Sequence, residues 1–328
     1  MKLNFDTIKS VIRGAVKIDE QDGKLYPRRF TDAQREAYRC YSADFYMKTN
    51  ASAGIRLEFY TDSKALSLSG EAFPGSSRNF FGFDVYSNGA LVCHEIFTMS
   101  NGYAKYTVNA NLGDGEGKRI IVYFPWSAEV NISELSIDDG ATVTPTKRLH
   151  NMICFGDSIT HGYDAINPSF SYANRLADAL SADHINKAIG GEVFFPALAE
   201  LCDEIKPDYI TVAYGTNDWS KNPKESFDRD SRLFYEKLSK SYPDAKIFAL
   251  APVWRINCET RITSVGEFTY VAKTLREIAD SLKGVTFIDC IDFIPHDKDY
   301  YVADVLHPND AGFYHYAMNL ASEIKKHI

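Results

Sequence analysis

A serine, a histidine and an aspartate stand where they could share one reaction. Ser158 follows the apolar run Met152-Ile153-Cys154-Phe155 and the turn residues Gly156-Asp157. Such a run reads as a buried strand ending in a turn that lifts one hydroxyl from its C-terminal edge, where ligands of open α/β sheets collect. Taken alone, Asp157 or Ser158 would be read as the cap of the next helix. Near the other end of the chain, Asp304-Val305-Leu306-His307 places a carboxylate and an imidazole three residues apart. Together these are the parts of a hydrolytic triad: a hydroxyl nucleophile, a base to take its proton, and an acid to orient the base.

Two further blocks follow strand-like segments. Asn186-Lys187-Ala188-Ile189-Gly190-Gly191-Glu192 carries a glycine pair, which is either a tight turn or a bare backbone N–H facing an anion. In Gly215-Thr216-Asn217-Asp218, Asn217 is either a turn former or an amide donor aimed into a cleft.

These residues need a frame to hold them. Apolar runs at 149–155, 183–187, 207–214, 245–250 and 285–289 alternate with helical stretches at 170–180, 194–204, 225–241, 264–282 and 310–326. That alternation predicts a three-layer α/β/α domain, a five-stranded parallel sheet covered on both faces. The segment before it reads differently. Short alternating runs at 54–60, 65–69, 81–86, 91–94, 103–108, 118–124 and 130–137, with a hairpin signal at Asn88-Gly89, predict a β-sandwich of jelly-roll type without long helices. The pattern changes between about 138 and 146, so the division is 1–145 for the sandwich and 146–328 for the α/β domain.

Composition narrows the function classes. Of 328 residues, 45% are hydrophobic and 24% charged, as in an ordinary globular chain. A net charge of −8 speaks against a nucleic-acid partner, which calls for a basic stripe. No run approaches the roughly 20 apolar residues of a membrane span. The start of the chain lacks the apolar core of a signal peptide, and the six cysteines are scattered without a C-x-x-C pair. Reduced thiols in a cytoplasmic protein are the expectation, with neither a zinc site nor any other metal or cofactor.

The four blocks, in this order, resemble those of the SGNH family of GDSL-type esterases and acylhydrolases. Gly156-Asp157-Ser158-Ile159-Thr160 is similar to its first block and Gly215-Thr216-Asn217-Asp218 to its third. Asp304-x-x-His307 with Pro308-Asn309-Asp310-Ala311-Gly312 is similar to its last. The second block is the loosest match, with the family glycine carried onto Gly191 and Gly190 as the fallback. The resemblance covers roughly 149–328 and implies the SGNH hydrolase fold. The preceding β region is similar in kind to sandwich domains of some carbohydrate esterases in this family.

The resemblance implies Ser158 as nucleophile, His307 as base and Asp304 as the residue orienting it. The oxyanion hole would consist of the N–H groups of Ser158 and Gly191 and the Asn217 amide. Asp157 is read as a structural or oxyanion-organising residue beside the substrate, and His161 either faces the cleft or is a solvated loop histidine. Trp219 and Trp254-Arg255 either line an acyl or leaving-group pocket or pack the domain junction. The expected function is removal of a small acyl group, acetyl first, from a carbohydrate or related small-molecule or oligosaccharide ester. The competing readings are a carbohydrate-binding protein with little activity and an acylhydrolase for longer chains. A G-x-S-x-G elbow is absent, which disfavours an α/β-hydrolase, and no compact His/Asp cluster suggests a metal-dependent deacetylase.

Overall fold

The computed structural model describes residues 1–328. Its first part contains, with the two-stranded hairpin Lys17–Gln21/Lys24–Arg28, two large antiparallel sheets. One runs Ile12–Arg13, Arg56–Thr61, Lys118–Tyr123, Phe80–Ser87, Ala90–Thr98, with Thr144–Pro145 also paired to Arg56–Thr61. In the other, the long strand Ala65–Pro74 pairs with Ala104–Asn111, Ala128–Val130 and Glu134–Ile137. Leu66, Leu68 and Ala72 alternate inward along Ala65–Pro74 and meet Leu57, Phe59, Phe81, Phe83 and Val122 of the facing sheet in one core. Asn88 and Gly89 close their hairpin with φ of 49° and 84°, the left-handed pair that matches strand twist.

The helices in this part were not foreseen. Asp32–Tyr41 begins with a reciprocal capping box between Thr31 and Gln34, and Ala43–Lys48 is capped by Ser42. These two do not cover the sandwich, unlike the helix Phe5–Val11, whose Ile8 and Val11 lie in its core. Phe30 and Tyr38 lie in the same apolar cluster as Ile153, Phe155 and Ile189 of the second part, with Phe45 and Tyr46 packed against it. Both helices are short, ten and six residues, so their apolar residues show no sustained period in the sequence.

The second part is a five-stranded parallel sheet in the order Ala182–Asn186, His150–Gly156, Tyr209–Ala213, Lys246–Leu250, Val285–Ile288. Side chains alternate through it. Met152 and Cys154 meet Tyr172, Leu176, Phe313 and Leu320 of the helices Tyr172–Ala179 and Asp310–Ile324. Ile153 and Phe155 face the other way, onto Phe234, Leu238, Val271 and Leu275 of Lys224–Ser241 and Thr269–Ser281. With both faces covered, the central strands need no polar side, which is why they read as continuous apolar runs. The expected helix at 194–204 is only Pro196–Glu200, because Phe194 turns into the core before it starts. Gly156 is level with Ala213 in the sheet, so the turns after these two strands emerge side by side at one edge. No helix is long and apolar enough to cross a membrane, and all six cysteines are free thiols.

Candidate active site

Ser158 opens the short helix Ser158–His161, whose cap is Asp157: its Oδ1 accepts the N–H of Ile159 at 3.0 Å. Gly156 is required just before it, since a Cβ there would come 2.1 Å from Thr160 Oγ1. Ser158 Oγ is 2.8 Å from His307 Nε2, and His307 Nδ1 is 2.6 Å from Asp304 Oδ2. Asp304 Oδ1 accepts the N–H groups of Leu306 and His307 at 2.9 and 3.0 Å. Burial would raise the Asp304 pKa, but these bonds and the one from the His307 ring outweigh it and hold it at about 2. An ionised Asp304 can only accept, so Nδ1 carries the proton and Nε2 is left to accept from the serine hydroxyl. The turn that brings the two together holds Val305 at φ 49°, a strained setting for a β-branched residue.

Two residues beside the histidine escaped the sequence reading. Tyr163 stacks its ring on His307, centroids 5.7 Å apart. Asp164 lies with Oδ2 3.7 Å from His307 Nδ1, and Arg78, from the loop after Ala65–Pro74, grips it through two bonds of 2.8 Å. No local pattern marks Arg78, because its partner is 86 residues away. Asp164, Asp304 and His307 bring potential ligand atoms within 4.8 Å of one another, but the Arg78 pair and the Asp304–His307 bond already engage these side chains.

The glycine block lies next to the serine turn. A Cβ on Gly190 would come 2.4 Å from the Tyr163 ring, and Gly191 has φ 90°, so neither position accepts another residue easily. Gly190 N–H donates to His161 Nδ1 at 3.1 Å, whereas Gly191 N–H meets no acceptor within the chain. His161 is thus not a solvated loop residue. It is fully buried, its Nε2 donates to Trp126 O at 2.9 Å, and burial pushes its pKa well below the usual value, so it stays neutral. Asn217 is in the helix Thr216–Lys221, entered through Gly215 at φ 117°. Its Nδ2 donates one hydrogen to Glu192 O at 3.0 Å and has a second to give.

The aromatic and charged candidates divide. Trp219 does not line a pocket: it is fully buried, edge-on to Phe268, with Nε1 donating to Gly266 O at 2.9 Å and the Arg255 and Arg261 guanidiniums near its ring. A large ring beside a helix start found the core before it found solvent. Arg255 donates to Thr216 Oγ1 at 3.1 Å and so bolts down the Asn217 turn. Trp254 stacks on His296 at 5.2 Å. The Asp157 carboxyl is buried behind Ser158, and burial pushes its pKa up to about 6. It holds the turn and has no surface to offer a substrate. The two largest cavities, about 700 and 580 Å³, are lined by other residues, among them Ser67 and Asn109 in one and Arg119 and Arg148 in the other. Neither of these cavities is at Ser158.

The second part of the chain has the SGNH hydrolase fold, preceded by an antiparallel, strand-rich N-terminal domain. Residues 154–314 match the GDSL-like lipase/acylhydrolase family model, and the chain carries a domain of that hydrolase family. No curated protein matches it. Among solved structures, a salicylyl-acyltransferase from a tetracycline biosynthetic pathway is similar with a TM-score of 0.82 and 21% identity, over 96% of this chain and 94% of that one. A putative GDSL-like lipase from Bacteroides ovatus gives 0.78 at 17% identity, over 99% and 97%. An acetyl xylan esterase from the rumen bacterium Butyrivibrio proteoclasticus gives 0.66 at 16% identity, over 100% and 98%. In all three the likeness spans both domains.

Proposed function

We propose that this protein is a serine esterase that removes a small acyl group, acetyl first, from a carbohydrate or related hydroxylated compound. The observation that carries this reading is the continuous chain Ser158 Oγ–His307 Nε2, His307 Nδ1–Asp304 Oδ2, at 2.8 and 2.6 Å. In the first half-reaction Ser158 Oγ bonds to the ester carbonyl carbon while its proton passes to His307 Nε2. The oxyanion is received by Ser158 N–H, Gly191 N–H and the free hydrogen of Asn217 Nδ2, each such donor worth about 3 kcal/mol in the transition state. His307 returns the proton to the departing alcohol, and water, activated by the same imidazole, releases the acid and restores the serine. Asp304 stays ionised throughout and stabilises the imidazolium.

A short acyl group is favoured because the segments after the strand ends, 216–220 and 252–255, contain no long apolar stretch, whereas a groove for a long chain would gain about 0.8 kcal/mol for each methylene it buried. The sugar is supported by the likeness to an acetyl xylan esterase and by the polar residues, among them Asn217 and Arg255, that follow the strand ends. The test is hydrolysis of p-nitrophenyl acetate, butyrate and octanoate alongside acetylated xylose or xylan. Activity should fall steeply with chain length, acetylated sugars should exceed alkyl acetates in kcat/KM, and Ser158→Ala should lower kcat by about six orders of magnitude with its fold intact. Substantial turnover by folded Ser158→Ala would refute the mechanism. Equal activity on octanoate would refute the substrate class.

A further inference from the structure

The peptide between Gly190 and Gly191 is held from the N-terminal domain. Lys48, at the end of the helix Ala43–Lys48, is buried and donates from Nζ to Gly190 O at 2.9 Å, its charge paired with Asp44. The carbonyl of Gly190 and the N–H of Gly191 are two ends of one planar trans peptide, so fixing the oxygen on one side aims the N–H to the other. That N–H is the one with no acceptor in the chain. Glycine on both sides leaves this peptide little steric resistance to rotation. Its neighbours are pinned as well: Arg29 donates to Asn186 O at 2.8 Å and Ala188 O at 2.7 Å, Lys221 to Gly191 O at 3.1 Å, and His161 takes Gly190 N–H.

We infer that Lys48 is a positioning residue of the oxyanion hole, supplied by the N-terminal domain, which orients and polarises the Gly190–Gly191 peptide. The inference rests on the esterase reading above. An ammonium on the carbonyl draws electron density towards it, which strengthens the N–H as a donor, because linked hydrogen bonds polarise one another. Lys48 touches neither substrate nor Ser158, so its effect should be confined to steps in which an oxyanion forms.

The test compares Lys48→Met and Lys48→Gln with wild type on p-nitrophenyl acetate, and measures inhibition by a short alkylboronic acid, whose tetrahedral adduct on serine places an oxygen in the oxyanion position. Lys48→Met should lower kcat about 10–100-fold, somewhat less than deleting a donor outright, with KM within about twofold. The boronic acid should weaken by a similar factor, and Lys48→Gln, which retains a neutral donor, should recover part of both losses. Folded Lys48→Met with wild-type kcat and boronic acid affinity would overturn the inference. Where Lys48→Met does not fold, wild-type values for both in Lys48→Gln would overturn it equally. Ser158→Ala separates the two levels. Lost activity there with unaltered Lys48 variants refutes the Lys48 role alone, and retained activity refutes the esterase reading and this inference with it.

Discussion

Asn217 divides its side-chain amide between two tasks. One hydrogen holds Glu192 O, and in the proposed mechanism the other is given to the oxyanion. Asn217→Ala should therefore lower kcat about 10²–10³-fold with KM little changed, and also cost about 1 kcal/mol of stability for the lost bond. Kinetics and melting on one sample check both parts. Asp218, next in sequence, is buried and its pKa is pushed up to about 7, mainly by desolvation. In the unfolded chain it ionises near 3.9. Between about pH 4 and 7 folding thus takes up a proton at this site, and stability falls as pH rises through that window. Asp218→Asn should gain stability relative to wild type over the same window, which urea unfolding at pH 4.5 and 7.5 will show. Ser158, His307 and Asp304 were legible because reactive side chains at strand ends and in a tight turn leave a local signature. Arg78, Asp164 and Lys48 were not, since each is defined by a partner on another part of the fold. For Trp219 a pocket role and a packing role both stayed open, because a sequence tells which strand end a ring follows, not which way it turns.

At the level of elements, the loop after Ala182–Asn186 is clamped from the N-terminal domain by Arg29 as well as by its own bonds. That guanidinium is fully buried and donates to four carbonyls, of Ala51, Lys48, Asn186 and Ala188. Burial lowers its pKa to about 9, which still leaves it charged at neutral pH. Arg29→Met would strand four acceptors at about 1–3 kcal/mol each, so a loss of about 4 kcal/mol or more in urea unfolding is expected. Arg29→Lys should rescue little, because one ammonium cannot span the fork. The parallel strands were legible as apolar runs, and the hairpin at Asn88-Gly89 as turn chemistry. Signals also existed for what was overlooked: Asp22-Gly23, with φ of 51° and 68°, turns the hairpin Lys17–Gln21/Lys24–Arg28, and Thr31…Gln34 spells a capping box. Their elements are short, and the alternating strands around them dominated the pattern.

Across the whole molecule, the two parts of the chain are joined by buried charge as well as by apolar contact. Glu58 of the sandwich is paired with Arg56, Arg119 and Arg148, and Arg56 reaches Asp183 at the edge of the parallel sheet. Burial alone would raise the Glu58 pKa, but Arg56 and Arg148 hold it at about 2. Its pairing stabilises the protein above about pH 4, where the unfolded glutamate is ionised, and that contribution is lost as pH falls towards 2. Glu58→Gln should cost about 3–5 kcal/mol at pH 7, by leaving guanidiniums without their counter-charge, and the deficit should shrink on acidification. Denaturant unfolding of both proteins from pH 7 to pH 3 measures it.

The reach of Lys48 and Arg29 into the glycine loop also sets an order of events in time. The partners are 142 to 159 residues apart in the chain, so these bonds close some of the longest loops in the molecule. Contacts of such separation come slowly, because chain entropy must be lost before they return anything. Each domain can collapse around its own nearby strands first, while the glycine loop still lacks its clamps. After dilution from urea, helical circular dichroism should return in an early phase, and the burst of p-nitrophenol that counts competent serines should return in a later one. On a ribosome the order is the same: residues 29–48 emerge long before the loop they hold, and that loop has its clamps only once the two have met.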